Sequence, residues 1–378
     1  MRIIPYSTQD INAADIKAVV RTLMSRWLTQ GPAIERFEKA LAKKVGVRFA
    51  VAFNSGTAAL HAAYFAAGIG KGDEVLVPAM TFVATGNAAL YLQAKPIFVD
   101  VHPHTGNIDV RDAARKVTKK TRAIVAVDYA GRPADLYACR SLARKCKLVF
   151  IEDGAQSLGA RYHGESVGTQ ADMTMFSFHP VKSITTGEGG VIVTDSEALY
   201  RKLKLFRNHG ITRDAYFVKK SEGPWHQEMH VLGYNYRITD IQTALGGSQL
   251  KRLDTFIKKR RAAAGRYPAF LKGVPGLVLP AQDSKEEKSA WHLYTVQVPA
   301  QKRKVVFEAL RAVGIGVQVH YLPVYLHPLY KKLGYKKGLC PNAEAWYAGE
   351  ISLPLFPALT LAQQKRVAQA LITALKEA

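Results

Sequence analysis

Between residues 48 and 195 the chain alternates short apolar runs with amphipathic or alanine-rich stretches, and turn residues mark each change. Residues 47–53, 74–77, 96–101, 123–127 and 148–151 read as strands, since they are brief, rich in Val, Ile and Phe, and apolar on both faces. Residues 57–67, 81–92 and 135–145 read as the helices between them. Two further β-rich runs, 172–178 and 189–195, follow without a helical stretch between them. Short apolar strands joined by helical crossovers predict an α/β unit with a parallel or mixed sheet covered on both faces, and such sheets collect ligands at the carboxyl ends of their strands. Beyond residue 195 the pattern changes. Residues 196–207 read as a helix, 210–233 as a polar loop and 238–259 as one long helix that joins two domains. Strands at 292–298 and 316–319 and helices at 303–312 and 362–376 predict a smaller α+β unit. The expected division is 1–250 and 251–378, with no internal repeat.

A chain of 378 residues, 48% hydrophobic and 22% charged, has room for two domains and an ordinary packed core. It carries no apolar run of membrane-spanning length, and the N-terminus has no extended apolar region of the kind a secretory signal needs; a cytoplasmic protein is the expectation. Cys139, Cys146 and Cys340 give neither a disulfide framework nor a CxxC knuckle, and the 11 histidines show no ligand spacing, so no metal is expected. The formal charge of +23 is spread over short amphipathic runs such as 258–261 and 331–337. That distribution suits a solvated face, or the attraction of a phosphorylated small molecule, better than nucleic acid, and no membrane partner is expected.

The chemistry centres on MFSFHPVKSITTGEGG (175–190), which puts Lys182 on a loop between the two β-rich runs. A partly desolvated lysine near other cations loses its proton and can form a Schiff base with a carbonyl. Four other features fall where strands should end. NSGTAAL (54–60) runs from a strand through a turn into a helix, a geometry whose amides, hydroxyls and helix dipole cradle a phosphate. Asp153, in VFIEDGAQSLGA, follows a strand directly and suits the task of keeping a pyridinium nitrogen protonated, with Gln156 beside it to bind a ring hydroxyl. Phe82, in PAMTFVATG, can stack on a flat ring, and Asn235 and Arg237, before a helix, suit an anion. Taken singly, each has an ordinary alternative: a solvated lysine, a helix cap, core packing. Taken together they match what pyridoxal 5′-phosphate (PLP) requires.

These motifs, with WLTQGPAIERFEKALAKKVG (27–46), RNHGI (207–211) and GYNYRITDIQTALG (233–246), closely resemble the DegT/DnrJ/EryC1/StrS family of PLP-dependent sugar aminotransferases over essentially the full length. IPYSTQDI (4–11), WLTQGP (27–32), FSFHPVKSITTGEGG (176–190) and VQVHYLPVY (317–325) look most like the subgroup that aminates a UDP-linked sugar in pseudaminic acid synthesis. The resemblance implies the PLP-dependent transferase type I (aspartate aminotransferase-like) fold, a large mixed-sheet domain plus a smaller α+β C-terminal domain, in a homodimer with shared active sites. It implies that Lys182 is the Schiff-base lysine, Asp153 the pyridinium partner, Gln156 the contact to the 3-hydroxyl and Phe82 the stacking ring. Ser55, Gly56, Thr57 and Ser177 match the phosphate side, with Asn235 reaching in from the other subunit. Tyr6, Trp27, Leu28, Thr29, Gln30, His320, Tyr321, Leu322 and Pro323 match the nucleotide-sugar pocket, which Ser55 also borders, and His179 and Arg237 are counted with the substrate contacts.

The implied reaction is a ping-pong transamination, from L-glutamate to a UDP-4-keto-6-deoxy sugar, with Lys182 as both anchor and acid/base. C3 amination, or a dTDP- or GDP-linked sugar, remains an alternative. A deoxygenating branch of the same fold has histidine in place of the lysine, so Lys182 argues against it. A regulatory nucleic-acid binder is the remaining rival, and no helix-turn-helix, zinc knuckle or aromatic RNP pattern supports it.

Overall fold

A computed structural model describes residues 3–378. Its centre is a seven-stranded sheet made of β1 (Phe49–Phe53), β2 (Glu74–Pro78), β3 (Lys95–Val99), β4 (Thr121–Val127), β5 (Val149–Asp153), β6 (Met173–Ser177) and β7 (Gly190–Thr194), in the order β1-β7-β6-β5-β4-β2-β3. Strands β3, β2, β4, β5 and β6 are mutually parallel, whereas β7 runs antiparallel to both β6 and β1. The reversal follows from the linker: residues 178–189 carry no crossover helix, so the chain can only return antiparallel. The carboxyl ends of β1, β2, β4, β5 and β6 therefore meet along one edge of the sheet, where the loop that bears Lys182 also lies.

Alternate residues of the same strands feed two cores, as the pleat demands. Val51, Phe53, Val75 and Val77 pack under α3 (Gly56–Ala66) and α4 (Val83–Tyr91), while Ala50, Ala52 and Leu76 face α2 (Pro32–Val45) and α5 (Leu136–Cys146). Helix α3 is mostly apolar and alanine-rich, and eight of its eleven residues are buried, which suits a helix enclosed on most sides and lying close to the sheet. A third core gathers Tyr267, Leu271, Val306, Leu310 and Val367 around the antiparallel pair β8 (Tyr294–Gln297) and β9 (Glu350–Leu353), and the N-terminal Ile4 packs there as well. Its helices are α9 (Arg303–Ala312) and α10 (Leu361–Glu377).

The expected helix at 238–259 is instead two, α7 (Asp240–Leu250) and α8 (Leu253–Leu271). They part at Lys251 and Arg252, where Arg252 turns to ion-pair with Asp10 and Asp15 of the N-terminal segment. Within α8, Leu253, Phe256 and Ile257 belong to the second core and Ala263, Ala264 and Tyr267 to the third, so the chain crosses between cores inside this helix. Residues 316–319 do not form a strand. Ile4 takes one side of that segment, through Gly316 N–H to the Ile4 carbonyl at 2.7 Å, and only Gln318 bridges to Ser352. A Cβ at Gly316 would lie 2.9 Å from the Tyr6 nitrogen, so the close approach requires glycine. Loop 210–233, which follows α6 (Glu197–Arg207), contains a small ladder, Ile211–Thr212 against Glu228–Met229. Helices α1 (Ala13–Leu23) and α2 and the short Val110–Lys116 and Pro341–Gly349 are additions to the expected elements. The remaining boundaries shift by two residues or fewer. Among the described residues, no helix is long and apolar enough to cross a membrane.

Candidate active site

Asp153 closes β5 and is buried. Its Oδ2 accepts the Thr85 hydroxyl at 2.7 Å and its Oδ1 the Ala155 amide at 3.2 Å, and neither donor is charged. Burial lifts the carboxyl above its ordinary range, while the two hydrogen bonds and the nearby Lys182 pull it back. Thr85 was not anticipated from sequence. It sits on the first turn of α4 and shares a 2.7 Å hydrogen bond with Thr81; α4 follows β2, which lies two places from β5 in the sheet order.

The Lys182 loop is folded back on itself. Phe178 N–H donates to the Gly189 carbonyl at 2.9 Å, Thr186 N–H to the Phe178 carbonyl at 3.1 Å, and Lys182 N–H to the His179 carbonyl at 2.9 Å. The Thr185 hydroxyl adds a fourth bond, to the Phe178 carbonyl at 2.9 Å. The Lys182 side chain is half-buried. Burial, helped by the Arg260 cation and opposed by Asp153, brings its amine down to about 8. His179 is exposed on the same loop, and its amide reaches the Ser177 hydroxyl at 3.4 Å.

Ser55 caps α3 by accepting the Ala58 amide at 3.1 Å, and Gly56 and Thr57 form the first helical turn. Ser177, at the end of β6, faces that turn: a Cβ on Gly56 would stand 3.4 Å from the Ser177 hydroxyl. Across it lies Gly190, where a Cβ would fall 2.6 Å from the Ser55 carbonyl. Glycine at 190 is what lets β7 begin so close to the helix start, whose first-turn amides make a positive end.

One wall joins residues that the sequence left apart. The Gln156 side chain accepts the Ala130 amide at 2.7 Å through Oε1 and donates to the Tyr321 hydroxyl at 2.9 Å through Nε2. The Tyr321 ring stands edge-on to Phe82, centroids 6.1 Å apart, and Phe82 is itself largely exposed. His320 is held through its backbone N–H to Glu350 at 2.6 Å and through Nδ1 to Ser352 at 2.8 Å, and its carbonyl accepts the Tyr129 hydroxyl. Burial pushes the imidazole down to about 4 and the Glu350 carboxyl up to about 8. Tyr6 lies beside His320, ring centroids 5.8 Å apart. Leu322 is half-buried and Pro323 buried, just before Val324, whose amide ties the segment to the Ala79 carbonyl at 3.0 Å.

Trp27, Leu28, Thr29 and Gln30, all exposed, form a second group with the exposed Asn235 and the half-buried Arg237. Thr29 bridges Thr239, and the Leu28 carbonyl accepts the Asp240 amide at 3.0 Å. Arg237 donates to Asn208 at 2.7 Å, and Asn235 offers its carbonyl to Asn54 at 3.4 Å while its side chain stays exposed. Gln30 and Arg237 line an open cleft of about 650 Å³ with Arg201, Lys204 and Arg213, and Lys182 is not part of its lining. Among the described residues, no hydrogen bond or ring contact connects this second group to Lys182, Asp153 or Tyr321.

The model of the DegT/DnrJ/EryC1/StrS aminotransferase family matches residues 9–372. The chain is 40% identical to the UDP-4-amino-4,6-dideoxy-N-acetyl-β-L-altrosamine transaminase of Campylobacter jejuni serotype O:23/36, over 99% of this chain and 98% of that one. It superposes on Helicobacter pylori PseC, an aminotransferase involved in the biosynthesis of pseudoaminic acid, with a TM-score of 0.93, 34% identity and full coverage of both chains. The PLP form of the putative sugar aminotransferase Spr1654 from Streptococcus pneumoniae gives a TM-score of 0.93 at 30% identity, covering 99% of each chain. The chain belongs to the DegT/DnrJ/EryC1/StrS family and is a PLP-dependent aminotransferase.

Proposed function

We propose that this aminotransferase moves the amino group of L-glutamate to C4 of a UDP-linked 4-keto-6-deoxy hexose and releases 2-oxoglutarate. The observation that carries the aminotransfer reading is a half-buried Lys182 amine, brought down to about 8, on the loop beside a buried Asp153 that has no basic hydrogen-bond partner among the described residues. The similarity to transaminases named for a UDP-linked amino sugar supports the substrate.

The residues fit the cofactor. The first turn of α3, with the Ser177 hydroxyl facing it, suits a phosphate, and the Asp153 carboxylate, whose hydrogen-bond donors are neutral, suits a ring nitrogen that carries a proton. When bound, PLP supplies a carbonyl for amine exchange and an electron sink for the charge that develops at the reacting carbon. In our reading Lys182 anchors it. The Lys182 Nζ also takes the Cα proton of glutamate and, in the second half-reaction, delivers a proton to C4 of the sugar. An amine near 8 suits both directions close to neutral pH. Phe82, Tyr321 and Gln156 wall the site against water, with Phe82 free to meet a flat ring. Tyr6, His179, His320, Leu322 and Pro323 border the sugar. The test is a glutamate half-reaction followed by a panel of nucleotide keto-sugars. We expect glutamate to bleach the yellow holoprotein, and the UDP-4-keto-6-deoxy sugar to exceed a dTDP counterpart in kcat/KM by about tenfold or more. A 3-amino product, or a preference for the dTDP sugar, would overturn the assignment.

The working unit in this reading is a homodimer with shared sites, to which Trp27, Leu28, Thr29, Gln30, Asn235 and Arg237 contribute across the interface. Helix α1 supports it: Ile16, Val20, Leu23 and Met24, continued by Trp27, make an exposed apolar stripe at helical spacing, and Asp15 is the helix's only buried side chain. The double change Val20→Glu with Met24→Glu is expected to give monomers by light scattering on a gel-filtration column, with turnover lost. A dimer that elutes unchanged would place the interface elsewhere.

A further inference from the structure

Arg260 lies in α8 at the point where that helix passes from the second core to the third, and only 1% of it is exposed. Its Nη1 donates to the carbonyls of Leu355 at 3.0 Å, His292 at 3.3 Å and Trp291 at 3.4 Å, and its Nη2 to the carbonyl of Val181 at 3.1 Å. The Nε has no partner among the described residues. All four acceptors are neutral. A buried guanidinium without a carboxylate is costly, and an apolar side chain of similar volume would pack there at lower cost. The bonds also have a pattern. One goes to the residue before Lys182, two to the segment that enters β8, and one to the segment that leaves β9, so a single side chain hangs the lysine loop from the third core.

The groups around the Lys182 amine come from every element packed against it. Asp153 approaches from the end of β5 and favours a charged amine, whereas Arg260 approaches from α8 and opposes it. His292 is buried, has an Nδ1 with no partner among the described residues, and is driven toward its neutral form by burial and by Lys182, Arg260, His320 and His179. His320 is also pushed down by burial and by Lys182. Tyr6 faces Arg260, and burial raises its phenol, which keeps it neutral. Burial brings Arg260 itself down only to about 10, so it remains charged at neutral pH. Asp153 thus balances one cation in the enclosure. Arginine does not readily give up its proton, and lysine does.

We propose that Arg260 is a positioning residue for Lys182: it clamps the lysine loop to the segments flanking β8 and β9, and its fixed positive charge disfavours a second cation beside it. The inference rests on the lysine role proposed above, but it is read in the cofactor-free protein without turnover, so the two can fail separately. Competitive acetylation of Lys182 across a pH series, quantified on its peptide by mass spectrometry, reports the amine's titration. Wild type is expected to titrate near 8 and Arg260→Gln about one unit higher. Hydrogen exchange of residues 178–189 is expected to quicken in both Arg260→Gln and Arg260→Lys, since neither can span all four carbonyls. A wild-type amine that titrates as an ordinary lysine, or a glutamine variant that titrates with the wild type, would overturn the electrostatic part. If the glutamine variant does not fold, unchanged loop exchange in Arg260→Lys overturns the clamp.

Discussion

Lys182→Ala is expected to lower turnover by at least about 10⁴-fold while the protein stays folded. The size follows from two tasks that rest on one atom in the proposed mechanism: the Nζ anchors the cofactor and carries the proton in both half-reactions. Alanine leaves the loop's own hydrogen bonds in place, because the Lys182 amide, Thr185 and Thr186 bonds are made without the Lys182 side chain. Stability should not fall. The folded amine, near 8, lies below its unfolded value of 10.5, so the unfolded chain binds more protons between those limits. Wild type therefore carries its full penalty for the enclosed charge below about 8, and loses it as pH rises toward 10.5. Alanine removes the penalty, so any gain in Tm should be largest below pH 8 and fade above it. Single-turnover absorbance with glutamate, paired with thermal scans at both ends of that window, checks both parts. A variant that keeps turnover within tenfold of wild type would sink the lysine assignment.

The sheet was legible because its strands are locally decided: short, apolar on both faces, and punctuated by turn residues, so that Phe49–Phe53 through Val149–Asp153 follow from pattern alone. The candidate site was legible for the same reason, since Asp153 closes a strand and Ser55, Phe82 and Lys182 stand on the loops beyond strand ends, and a parallel sheet brings those ends to one edge. What pattern missed depends on distant partners. The break at Lys251 and Arg252 has no glycine or proline; it is set by Asp10 and Asp15, far off in the chain. Segment 316–319 has strand composition but loses its pairing edge to Ile4. Helix α1 is amphipathic with its apolar face turned outward, so its pattern pointed to no core of this chain. In the site, Thr85 under Asp153, the bond from Gln156 to Tyr321, and Arg260 behind Val181 join residues with no common motif.

Asp153→Asn is the second large effect, an expected loss of about 10²- to 10³-fold in the glutamate half-reaction with little change in fold. The substitution keeps the shape. An asparagine oxygen still accepts the Ala155 amide, and its NH2 can donate to the Thr85 hydroxyl, which already shares a 2.7 Å bond with Thr81 and can exchange its donor and acceptor roles. Only the negative charge is lost, and with it the means of keeping a ring nitrogen protonated. The affinity for PLP should weaken in step, readable as cofactor lost on gel filtration. The pH dependence separates this from a packing defect. In the cofactor-free protein burial raises the Asp153 carboxyl, so it is protonated at higher pH than an ordinary aspartate, and the capacity to pair with a cationic ring falls away as pH drops through that raised value. Asparagine does not titrate. PLP affinity in the variant should therefore be low throughout and lack the acid-side decline that wild type shows, whereas a variant merely loosened around Thr85 would keep that decline at reduced amplitude.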